Sequence, residues 1–162
     1  MLEILKLGNE TLTQKSLPVT VFDDAFAAFV QELYTTMKEG KGVGLAASQV
    51  GRLERVFVTG AEDDRLRVFV NPEIVSTSPE EVLIEEGCLS LPGLYCKVRR
   101  PEKIKIQAYN EKGRPFTLEA SDFLARIIQH EYDHLNGVLF IDRLPPLRRE
   151  RALLEYRKLS RQ

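Results

Sequence analysis

Both histidines of the chain fall in one short run, Gln129-His130-Glu131-Tyr132-Asp133-His134. A spacing of four on a helix puts both imidazoles on one face, where two neutral ring nitrogens can bind one metal at about 2.0–2.1 Å. Glu131 sits beside the first histidine without being a ligand and can take a proton from water at such a metal. Two histidines scattered at random over 162 positions stand four apart in about 1% of arrangements, and requiring Glu after the first leaves about 0.1%. The alternative is an ordinary polar helix face. Two imidazoles do not complete a catalytic site, which takes three protein ligands and one open position. Downstream there is no further histidine, only Asp142, Glu150 and Glu155, the last two in a stretch that reads as a charged surface helix. Upstream, Glu85-Glu86-Gly87-Cys88-Leu89-Ser90 places Cys88 after a glycine at the end of an apolar strand, where backbone and sulfur can approach closely. A lone cysteine is ordinarily a small core residue. Beside a two-histidine helix that lacks a third ligand, Cys88 becomes the better candidate.

These residues need elements to hold them. Helical periodicity predicts a first helix over residues 24–38, with Phe26, Phe29, Val30, Leu33, Tyr34 and Met37 on one stripe, Asp23 or Asp24 as its cap and Gly40 at its end. A glycine-rich loop, Gly40 to Gly44, leads into small apolar residues. Short β-branched or aromatic runs follow over 55–59, 67–71, 81–85 and 95–99. Residues 103–109 alternate charged and apolar, the pattern of a half-buried antiparallel strand, and a turn over 111–114 leads to a strand over 116–119. The histidine helix runs from Ser121 or Asp122 to Leu135, with Asn136-Gly137 as its stop. A short strand over 138–141 and Pro145-Pro146 precede a terminal helix over 147–159, whose Leu147, Ala152, Leu153 and Tyr156 would pack on the body. The expected fold is α+β: antiparallel β-sheets packed around a central metal-binding helix, with a C-terminal helix. No repeat or linker divides residues 1–162, so a single domain is expected.

Composition narrows the classes. Hydrophobic residues make up 43% and charged residues 29%, which argues against disorder. A net charge of −1 gives no nucleic-acid signature for the chain as a whole, and DNA is not an expected partner. No apolar run approaches membrane-spanning length and the N-terminus lacks the features of a signal or transit peptide, so a cytoplasmic location is expected. Two cysteines exclude a disulfide scaffold and leave thiol chemistry or metal binding open.

Three segments together resemble the peptide deformylases: Gly42-Val43-Gly44-Leu45-Ala46-Ala47-Ser48-Gln49, Glu86-Gly87-Cys88-Leu89-Ser90, and the histidine run. Their order and separation match as well, and the resemblance extends over essentially the whole chain. It implies hydrolysis of the N-formyl group from the formylmethionine of nascent proteins, releasing formate. It also implies one divalent metal, by preference ferrous iron, Fe(2+), with Zn(2+), Ni(2+) or Co(2+) able to occupy the site. Carried over, Cys88, His130 and His134 would be the ligands, and Glu131 the general base and then the proton donor to the leaving amine. Gln49, through its side-chain amide, and Leu89, through its backbone N–H, would meet the developing oxyanion. Gln49 could equally be a loop residue bonding the backbone. Val43, Gly44 and Gly87 would meet the peptide; for the glycine segment the plain alternative is a helix-to-strand loop.

Phe123, Ile127, His130 and His134 share one helix face, so Phe123 and Ile127 are expected in a methionine pocket whose other walls are Ile84 and Val43. Many relatives carry Arg shortly after the Cys motif, where this chain has Leu94-Tyr95-Cys96-Lys97; Cys96 reads as a strand or core thiol. The terminal helix carries Arg148, Arg149, Arg151, Arg157, Lys158 and Arg161 against Glu150 and Glu155, a net +4 beside −5 for the rest. This is either a solvated face or a contact for ribosomal RNA. The rival enzyme is a zincin-type metallopeptidase. The rival of another class is a binding module with a structural metal, which needs a closed fourth ligand and gives Glu131 no task.

Overall fold

A computed structural model describes residues 2–161. Helix α1 spans Asp24–Glu39; its first turn is capped by Asp23, whose carboxylate accepts the Phe26 N–H at 2.9 Å. Seven strands follow: β1 (Gly44–Ala46), β2 (Val56–Thr59), β3 (Arg67–Thr77), β4 (Glu81–Gly87), β5 (Tyr95–Pro101), β6 (Lys103–Tyr109) and β7 (Pro115–Ser121). Helix α2 spans Asp122–Leu135 and α3 spans Pro146–Ser160. All strand pairs are antiparallel; five form one sheet in the order β1-β2-β3-β6-β7, and β4-β5 form a separate two-stranded sheet.

Strand alternation explains how the large sheet takes a helix on each face. Val56, Val58 and Val70 join Phe26, Phe29, Leu33 and Met37 of α1 in one buried cluster. The intervening Phe57 and Phe69, stacked at 4.8 Å, join Ala125, Ile128 and Leu135 of α2 in another. With both faces covered, β2 is buried at every position rather than at every second one. A third cluster places Leu91, Leu94 and Val98 against Phe140, Ile141, Ala152 and Tyr156, and so seats α3 beside the Cys88 loop. The α2 helix is therefore enclosed by β1, β2, β6 and β7, as the α+β reading requires.

Several local expectations are corrected. Residues 138–141 form no strand. Phe140–Arg143 is a 3-10 turn, in which Asp142 accepts the Leu139 N–H and sends Phe140 and Ile141 into one cluster instead of to alternate faces. Strand β3 runs past Asn71 and Pro72 to Thr77, its register shifting between Val70 and Glu73, so the proline sits at a bulge rather than ending the strand. Ser121 stands at the N-cap of α2, but its side chain makes no capping bond. Leu147 does not pack on the body: it is 72% exposed, and Ala152 and Tyr156 are the buried residues of α3.

Candidate active site

Strand β4 ends at Gly87, and the next residue, Cys88, brings its sulfur against His134 of α2. The Cys88 Sγ and a ring nitrogen each from His130 and His134 lie within 4.8 Å of one another. Cys88 Sγ is 3.4 Å from His134 Nε2. Ligands at about 2.3 and 2.1 Å on a tetrahedral metal stand about 3.6 Å apart, so this spacing suits one ion. His130 donates from Nδ1 to the Glu86 carboxylate at 2.9 Å, which fixes the tautomer with the Nε2 lone pair free. His134 Nδ1 is buried without a hydrogen-bond partner. A thiolate and two imidazoles form a donor set for a borderline or soft divalent transition metal. Among the described residues no fourth His, Cys, Asp or Glu joins the trio, and Asp142 is instead bonded to Leu139 and Arg149.

Glu131 lies against the trio, with Oε2 4.0 Å from His130 Nε2. Its other oxygen, Oε1, is buried with no hydrogen-bond partner. Such an orphaned carboxylate oxygen is costly unless a bound molecule completes it. Burial pushes the Glu131 carboxyl up to about 7, against the opposing pull of His130. Burial also disfavours a charged imidazole at both histidines. At His130 the surrounding Glu131, Cys88 and Glu86 outweigh it and hold the pKa well above the ordinary value; at His134 the charge at His130 adds to burial and pushes it well below. A dication would replace that proton as the positive charge of the site.

Glu86 is buried among partners. Burial alone would raise its carboxyl, yet hydrogen bonds from His130 and Arg100 hold it down to about 2. Arg100 donates to Glu86 at 2.6 and 3.1 Å and to Asp133 at 2.9 Å, and Asp133 is in turn bonded by Arg143. Arg126 also donates to Glu86, at 2.7 Å. Sequence reading missed this network because its bonded members stand 10 to 44 residues apart. The one local signal is Arg126, a charge four residues before His130 on the helix face that should be buried.

Gln49 bonds the backbone as the loop reading expects, and its amide nitrogen is turned toward Cys88. Its Oε1 accepts the Ala46 N–H at 3.0 Å, as a loop amide would. That bond turns Nε2 toward Ser90 Oγ at 3.1 Å and Cys88 Sγ at 3.6 Å, into the site. A cleft of about 500 Å³ opens over these groups, lined by Val43, Gly44, Gln49, Gly87, Cys88, Leu89, Phe123, Ile127, His130 and Glu131. Ile84 does not line it. It pairs with Val98, three residues upstream of Gly87 and about 10 Å along β4, and Glu85 and Glu86 take the expected place. Gly44 is required by contact: a Cβ there would stand 2.6 Å from Glu131 Oε2. Gly87 makes room for the Tyr95 ring, which is 63% exposed at the cleft mouth. Cys96, opposite Glu86 in the hairpin, packs half-buried on the third core cluster, as a strand thiol should.

Residues 1–150 match the family model described as polypeptide deformylase. The chain belongs to the polypeptide deformylase family. It is 45% identical to the peptide deformylase of Treponema pallidum over 158 residues, covering 98% of this chain and 97% of that protein. It is 46% identical to that of Chromobacterium violaceum over 164 residues, covering 100% and 98%. The crystal structure of a peptide deformylase from Legionella pneumophila superposes with a TM-score of 0.93 at 40% identity, covering 99% of this chain and 96% of that one. The protein is thus a hydrolase that removes the N-formyl group from nascent peptides. The metallopeptidase reading finds no support, since the third sulfur or oxygen near the histidines comes from upstream Cys88 and not from a downstream carboxylate.

Proposed function

We propose that Cys88, His130 and His134 hold one divalent metal, ferrous iron in the cell, and that this deformylase uses Glu131 as its proton carrier. The observation that carries the reading is the buried, unpartnered Glu131 oxygen beside a three-ligand cluster at the floor of an open cleft. A bound dication supplies Lewis-acid polarisation and lowers the pKa of water. Glu131 accepts the proton of the attacking water and passes it to the amine nitrogen as the formamide bond breaks, releasing formate. Gln49 Nε2 and the Leu89 backbone N–H donate to the carbonyl oxygen as it becomes negative, each donor worth roughly 3 kcal/mol in the transition state. The Oε1 bond to Ala46 supports this role for Gln49, because it keeps the amide turned inward before substrate arrives.

The backbone of Val43, Gly44 and Gly87 receives the peptide along its length, and Phe123 and Ile127 receive the methionine side chain. Zinc, nickel or cobalt can replace iron on the same donors. The whole chain, residues 1–162, works as one catalytic domain in the cytoplasm; no helix in the described residues is long and apolar enough to cross a membrane. The exposure of Arg148, Arg151, Arg157 and Lys158 supports α3 as the face for ribosomal RNA near emerging chains. The test is release of formate from formyl-Met-Ala-Ser by metal-loaded protein, with casein as the endopeptidase control. Formate without casein cleavage supports the reading; casein cleavage without formate overturns it.

A further inference from the structure

The three ligand atoms come from two units that share no strand ladder. Cys88 follows β4 of the two-stranded sheet, and both histidines ride on α2, which packs on the five-stranded one. A two-stranded hairpin alone is marginal in water, so something else must set its distance from α2. Arg126 stands one helical turn before His130 on the same face of α2 and is 4% exposed. Its Nη1 donates to Glu86 Oε2 at 2.7 Å and to the Val98 carbonyl at 2.7 Å, and its Nη2 donates to the Val82 carbonyl at 2.7 Å. One planar group therefore bonds a β4 carbonyl, a β5 carbonyl and the very carboxylate that orients His130.

We propose that Arg126 is a positioning residue for the metal site, a clamp whose guanidinium fixes the Cys88 hairpin on the histidine helix and so sets the spacing of the three ligand atoms. Arg100 does not duplicate it. That residue belongs to β5, bonds Glu86 within its own hairpin, and reaches α2 only at Asp133, beyond His130. The two arginines thus bracket His130, and among the described residues Arg126 alone reaches from the helix to a backbone carbonyl of each strand. Lysine cannot take its place in full, because three bonds at fixed angles need the planar fork.

The inference rests on the metal-site reading, and its test is a measurement on the bound metal rather than on turnover. Wild type, Arg126→Met, Arg126→Lys and, as a stability control, Val30→Ala in the α1 cluster are loaded with Co(2+). Thiolate-to-cobalt absorption and the rate of cobalt loss to excess EDTA are then recorded. The expected result is a shifted absorption spectrum and at least tenfold faster loss in Arg126→Met, an intermediate rate in Arg126→Lys, and wild-type values in Val30→Ala even though its melting temperature falls. Wild-type spectrum and loss rate in Arg126→Met would overturn the clamp. If Arg126→Met does not accumulate as folded protein, Arg126→Lys decides: a wild-type loss rate there overturns the proposal, and a faster one supports it. Wild-type protein that binds cobalt with a thiolate band but releases no formate would count against the deformylase mechanism while leaving the clamp to be judged on its own data.

Discussion

Gly44→Ala crowds Glu131, the proposed proton carrier, and leaves Cys88, His130 and His134 unsubstituted. The new Cβ would stand 2.6 Å from Glu131 Oε2, 2.9 Å from its Cγ and 3.0 Å from its Cδ, where ordinary contact begins at 3.4 Å. The carboxylate must retreat by about 0.8 Å, and because Cγ is also crowded the move displaces the stem rather than rotating the tip. A misplacement of about 1 Å in a reacting group costs about 100-fold. The expected fall in kcat is therefore about 30- to 100-fold. KM should change little, because the Gly44 backbone at the cleft remains, and metal content should stay stoichiometric, because the three atoms nearest the added methyl all belong to Glu131. The assay is formate release from formyl-Met-Ala-Ser over a substrate range, with metal content of the same samples measured by atomic emission. A kcat within threefold of wild type at full metal content would refute the placement of Glu131 as the working base held by Gly44.

Three further outcomes follow from the same geometry. Glu86 has its carboxyl held near 2 in the folded chain against an ordinary 4.5, so its contribution to stability is present above about 4.5 and is lost as pH falls toward 2. At about 1.4 kcal/mol per pH unit this is about 3 kcal/mol, and acid titration of the metal-free protein followed by circular dichroism should show a shallower loss of stability in Glu86→Gln than in wild type; parallel curves would contradict the assignment. Ile127→Trp should fill the side-chain pocket and erase a preference for formyl-Met over formyl-Ala of about 2 kcal/mol, or 30-fold in kcat/KM, with metal content unchanged; a preference that survives would move the pocket elsewhere. A thiolate on ferrous iron is an oxidisable pair, so iron-loaded protein should lose activity in air much faster than nickel-loaded protein, and Cys96→Ser should leave both lifetimes unchanged; equal lifetimes would separate Cys88 from the iron.

The cluster of Cys88, His130 and His134 was legible because its chemistry is written in residue type and short spacing: two histidines, four apart, and a glycine-flanked cysteine. Helix α1 was legible from its stripe and its Asp23 cap, which the structure bears out at 2.9 Å. Strand ends were less so. The run over 67–71 is expected to end before Pro72, yet a bulge carries β3 past it to Thr77, since a register shift needs no N–H from the proline. Residues 138–141 read as a strand because an apolar run has no period of its own, and only the Asp142 bond to Leu139 reveals the turn. Ile84 is expected in the pocket because it lies on the strand before Cys88, but Glu85 and Glu86 line the cleft there and Ile84 does not. The arginine network stayed hidden because a charge is buried only by partners distant in sequence, and nothing local to Arg100 or Asp133 announces them.

Glu131 is the residue on which the proposed hydrolysis depends most directly. Glu131→Gln keeps the size of the side chain and its hydrogen-bonding reach but removes the proton acceptor. With metal content matched to wild type, formate release from formyl-Met-Ala-Ser should fall by at least about 100-fold. Turnover equal to wild type in a fully metal-loaded Glu131→Gln protein would contradict the mechanism.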